Sequence, residues 1–192
     1  MPFLERWRSD REVRAKAAAY AAALSNDPNP ELTEWLAATA TGGDLDHARW
    51  ELRYARRALG LLAAERDALD DRTASLVAGA LAEAFRRDPA IASDRVGLAE
   101  RQFNQRLSAY GEAVRERRPG TATSERIAQE LLRFAGGERE WGQEVVAHLA
   151  NAVADFLTNT NAELRKAFGQ AALPENVRPS SLGRGTGGGG GR

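Results

Sequence analysis

The chain has 192 residues, with 27 Lys plus Arg balanced by 27 Asp plus Glu, two His and no Cys. A net charge of zero does not fit a protein whose main work is gripping a phosphate backbone, which takes an excess of cations. The missing Cys excludes disulfides, thiolate zinc sites and thiol nucleophiles, while 43% hydrophobic content is enough for a real core. Ala, Leu, Arg and Glu dominate, Ile occurs only at Ile91 and Ile127, and no alternating run bounded by turn residues reads as a strand. The expected fold class is all-α.

A first helix is predicted over 3–24, with Phe3, Leu4, Trp7, Val13, Tyr20 and Leu24 as its larger apolar residues. Its nearly pure Ala stretch from Ala15 to Ala23 offers a slim face for close helix packing. Asn29 followed by Pro30 reads as an N-cap with Pro at the first helical position, opening a short helix over 30–40 with Leu32, Trp35 and Leu36 on one side. Gly42-Gly43 stops it, and Asp44 is placed to cap the next helix.

The stretch 44–88 organises the rest of the chain. Leu45, Leu52, Leu59, Leu62, Leu69, Leu76, Val77, Leu81 and Phe85 recur at helical spacing, and Pro89 is the first hard stop. Read as one helix it would be roughly 65 Å long, which implies an elongated bundle. The stripe slides by one residue beyond Thr73, which favours a bundle over a sustained coiled coil. Asp70-Asp71-Arg72-Thr73 is the one plausible break.

A helix over 94–118 carries Val96, Phe103 and Tyr110 at seven-residue spacing and is expected to run antiparallel to 44–88 about the 88–93 turn. That would bring Arg115, Arg117 and Arg118 toward the acidic middle of the long helix. A short helix over 124–135 and a last one over 138–171 complete the bundle, with Thr160 and Glu163 at the spacing of a capping box that could restart the latter. The expected organisation is one helical-bundle domain over 1–173, in which 3–24 and 30–40 are covering helices, and a disordered Gly-rich tail over 174–192.

Chemistry is sparse. Each His has a Glu one turn away, His47 with Glu51 and Glu144 with His148, so these four are the only metal-ligand candidates. The Glu-x-x-His spacing of di-metal bundles is absent, and solvated His–Glu pairs are the preferred reading. No phosphate loop, dinucleotide fingerprint or hydrolase triad is present, so no enzyme activity and no cofactor are expected. The candidate interaction surface is Arg49, Trp50, Arg53, Tyr54 and Arg57, with Arg56 beside them; Arg49, Arg53 and Arg57 line one face, and the aromatics could stack on bases. No apolar run is long enough to span a bilayer, since Val145–Leu157 is interrupted by His148, Asn151 and Asp155, and no secretory signal opens the chain. The sequence thus predicts a cytoplasmic, non-catalytic interaction or scaffold protein with protein partners, self-associating because the long helix has more apolar stripe than 94–118 can cover. The alternatives are a nucleic-acid-binding protein using the Arg face, and a membrane- or granule-surface protein anchored by Phe3, Leu4 and Trp7.

Overall fold

Seven α-helices and one 3-10 turn run through the residues described by the computed structural model, which are 2–67, 71–116 and 119–169 for the backbone and 11–66, 73–116 and 119–169 for side chains. In order they are α1 (Pro2–Leu24), α2 (Pro30–Thr39), α3 (Leu45–Asp67), α4 (Asp71–Arg86), the turn Ser93–Arg95, α5 (Val96–Arg115), α6 (Thr123–Gly136) and α7 (Gln143–Phe168). The fold is all-α. The 174–192 tail and the side chains of Phe3, Leu4 and Trp7 lie outside the described residues, as do residues 117 and 118.

Local chemistry sets several helix ends. The Asn29 side chain accepts from the Glu31 amide at 2.8 Å, with Pro30 at the first helical position. The Asp44 carboxylate accepts from the His47 amide at 2.9 Å, satisfying one orphan donor of α3. Gly137, with φ of +80°, ends α6 in the left-handed region that a side chain would resist.

The single helix over 44–88 is corrected to two. α3 ends at Asp67 and α4 begins at Asp71, next to the predicted break, and α4 doubles back along α3. In a continuous helix Arg57 and Phe85 would stand roughly 40 Å apart; instead the Arg57 guanidinium lies 4.4 Å from the Phe85 ring, and Tyr54 stacks on Phe85 at 6.1 Å. The elongation argued from a single long helix goes with it. This reversal also changes the partner geometry. α5 follows α4 back up the bundle, so Tyr54 meets Gln102 while Leu62 faces Gly111, and α5 runs parallel to α3.

α3 is the central helix, in contact with every other helix of the described residues. Small residues make this possible: Ala48, Ala55, Ala58, Ala63 and Ala64 are all buried, beside Leu52, Leu59 and Leu61. α1 approaches through its Ala face, with Ala17 and Ala21 buried, and Tyr20 donates its hydroxyl to the Gly60 carbonyl at 2.9 Å. A Cβ on Gly60 would sit 2.3 Å from Leu24 Cδ1. Gly60→Ala is therefore expected to destabilise the protein by about 1–2 kcal/mol, because overpacking outweighs the better helix propensity of Ala. Pairing it with Leu24→Val should recover part of the loss in urea denaturation; a stabilised single mutant would show that α1 is loosely held.

Two later predictions also shift. α7 starts at Gln143 rather than near 138, because Gly136 packs against Trp141 and the Ala40 carbonyl, holding 138–142 as a loop; Arg139 lies 3.7 Å over the Trp141 ring and donates to the Thr39 carbonyl at 2.7 Å. The Thr158–Asn161 quartet does not interrupt α7. Thr158 donates back to the Ala154 carbonyl at 2.9 Å and Thr160 is buried, so tertiary packing overrides weak local propensity.

Candidate functional site

The Arg-rich face of α3 is largely turned to internal use. Arg57 is only 1% exposed and Tyr54 3%, so neither is a surface residue. Arg57 donates to Asp88 Oδ2 at 2.9 Å, and Arg53 pairs with Asp27, whose carboxyl is held below its usual range by that hydrogen bond and charge. Arg49, 3.7 Å from Asp46, is the exposed member of the set. Three cations of the predicted patch thus have carboxylate neighbours, which removes most of the positive field that the nucleic-acid reading needed. Trp50 is half-buried, packed on Tyr54 at 5.6 Å and under the Arg53 guanidinium at 4.9 Å.

The two His–Glu pairs acquire different neighbours. His47 Nε2 lies 3.4 Å from Glu51 Oε1, whereas the His148 ring packs on Trp35 at 4.3 Å. Among the described residues no three His, Asp or Glu side chains stand close enough to share a metal ion. Glu51 has a stronger commitment that its sequence position did not reveal. It is 2% exposed and receives both Nε (2.9 Å) and Nη2 of Arg106, itself 7% exposed. Arg106 also donates to the Gln102 carbonyl at 3.2 Å and lies between the rings of Tyr54 and Phe134, at 5.2 and 4.4 Å. Burial opposes charge on Arg106, but the Glu51 hydrogen bonds and charge outweigh it and push the guanidinium pKa up. A third buried guanidinium, Arg126, ties the end of α5 to the start of α6 by donating to the carbonyls of Ala113 and Thr121 and to Thr123 Oγ1. These buried guanidinium contacts tie α3 to α5 and α5 to α6.

One feature open to the outside lies where α3 and α5 begin. A shallow notch of about 310 Å³ is lined by Trp50, Tyr54, Ile91, Leu98 and Gln102, with Arg95 on its rim. Leu98 is 39% exposed, and Leu45, at the start of α3, is 47% exposed. No helix of the described residues is long and apolar enough to cross a membrane. No protein-family model, curated protein or solved structure matches the chain.

Proposed function

We propose that the protein is a non-catalytic helical interaction protein that self-associates through the end of the bundle where α3 and α5 begin. The stripe of α3 that first motivated self-association is covered within the chain by the surrounding helices. What supports the reading instead is placement: among the described residues the exposed large apolar side chains are Leu45 and Leu98, in the first turns of α3 and α5, and Leu98 shares its notch with the half-buried Trp50. An exposed Leu beside an apolar notch that also holds Trp50 and Ile91 is a candidate contact surface. The first turns of α3 and the segment leading into α5 carry both signs close together, with Asp46 near Arg49 and Asp94 near Arg95. A two-fold contact repeats one patch on both subunits, so a patch holding both signs can complement itself.

Light scattering coupled to size exclusion tests this. The wild-type protein is expected to form a dimer at micromolar concentration, and Leu98→Glu to be monomeric with an unchanged melting temperature. A wild-type chain that stays monomeric at high micromolar concentration sinks the reading. So does a dimer that survives Leu98→Glu, Leu45→Glu and Trp50→Ala together.

A further inference from the structure

A second concavity, of about 620 Å³, opens between α2 and α7, over the middle of α3 and the end of α1. Its volume falls in the range of small-molecule sites. Its polar groups are unusual for this protein. Arg49, Arg53 and Arg57 each have a carboxylate within ion-pair distance, whereas Arg56, half-buried and lining this cleft, has neither an ion pair nor a hydrogen bond among the described residues. Thr160 is only 3% exposed, lines the same cleft, and its hydroxyl makes no hydrogen bond among the described residues. Neither group is sealed off from solvent, so a half-buried cation without a counter-charge and a hydroxyl without a protein partner are groups that a bound ligand can satisfy in place of water.

Three further features narrow what that could be. The inner walls are apolar, from Leu24, Leu32 and Phe156, and the Trp35 and His148 rings, 4.3 Å apart and tilted by 38°, form one side. The exposed carboxylates of Glu31 and Asp155 stand at the mouth; Glu163, also lining it, is 3.8 Å from Lys166. A dianion would meet Arg56 but be repelled at the mouth. A diamine would suit the mouth but be repelled by Arg56. We propose that this cleft is a binding site for a zwitterionic ligand of the amino-acid class with an apolar or aromatic body, its carboxylate on Arg56 and Thr160 and its ammonium toward Asp155. Binding here is non-covalent and independent of the self-association face, which is built from α3 and α5.

Three matched probes separate the contributions: L-phenylalanine, 3-phenylpropionate, which lacks the amine, and 2-phenylethylamine, which lacks the carboxylate. Titrations are followed through the Trp35 indole signal in heteronuclear NMR, with Trp50 as a remote reference. L-Phenylalanine is expected to saturate the Trp35 signal, binding about tenfold or more tightly than either truncated probe, since each loses one charged hydrogen-bonding group. Arg56→Gln should weaken L-phenylalanine by a similar factor while leaving 2-phenylethylamine unchanged. Asp155→Asn, at an exposed position, should lower the preference over 3-phenylpropionate without altering the fold. No saturable shift in the wild-type protein with any probe, equal affinity for all three, or an Arg56→Gln variant that binds L-phenylalanine as well as wild type would each overturn the assignment.

Discussion

Replacing Glu51 with Leu is expected to cost about 3–5 kcal/mol of folding stability, because it leaves the Arg106 charge buried without its counter-charge. Arg106→Leu should cost about as much from the other side, stranding the Glu51 carboxylate. Both side chains are almost completely enclosed, so solvent does little to soften either loss. Breaking the pair differs from replacing it. Taking two charges out of water offsets most of what they gain from each other, so two apolar residues of similar volume can serve nearly as well. The double variant Glu51→Leu/Arg106→Leu should therefore recover most of the stability lost in either single variant. Full recovery is not expected, since Arg106 also lies over Tyr54 and Phe134, and desolvated cation–π contacts contribute about 1–2 kcal/mol. Urea denaturation of the four proteins gives the coupling directly. Single variants within ~1 kcal/mol of wild type would mean that the interior is wetter than the geometry shows.

The Glu51–Arg106 pair was not legible in the sequence, although other features were. The caps at Asn29 and Asp44 could be read because they involve only neighbours in the chain, and the Ala face of α1 because packing against a close helix needs small residues whatever the partner. The reversal between α3 and α4 was legible only as a place, Asp70–Thr73. Neither Gly nor Pro marks residues 68–70, and the apolar spacing is equally regular in a hairpin and a straight rod. The direction of α5 depended on that choice, since reversing α4 turns an antiparallel partner of α3 into a parallel one. Burial of charge was hidden for a different reason. Glu51 and Arg57 on α3, like Arg106 on α5, stand among charged neighbours that read as a solvated face, and only the helices packed over them draw them inward. Arg56 and Arg57 are adjacent and chemically identical. One sits against Phe85 and Asp88, and the other opens into the α2–α7 cleft.

Asp88 gives the other large effect, and this one depends on pH. Arg57 is nearly sealed, with its Nε and Nη1 lacking any hydrogen-bond partner among the described residues, so the Nη2 bond to Asp88 at 2.9 Å is what compensates its charge. Asp88 Oδ1 in turn accepts the Ala90 amide at 3.0 Å. Burial alone would raise the Asp88 pKa, but Arg57 and the Ala90 amide outweigh it and hold the carboxyl below its ordinary value. A depressed carboxyl pKa stabilises the folded state above the unfolded pKa, which for Asp is about 3.9. That contribution fades as pH falls through the lower folded value, because the unfolded chain then binds the proton more readily. Asp88→Ala is therefore expected to lose about 3–5 kcal/mol at neutral pH, with Arg57 left buried and uncompensated. It should also flatten the decline in stability below about pH 4, since the group that titrates there is gone. Asp88 leads into the Ala90–Ala92 turn that borders the Leu98 notch, so the same variant should weaken self-association even where it remains folded. Chemical denaturation at a series of pH values, with light scattering on the folded fraction, reads both consequences. If Asp88→Ala keeps the wild-type acid limb, another carboxylate carries the pH dependence. If it also keeps the neutral-pH stability, the Arg57 tie does not hold α4 against α3.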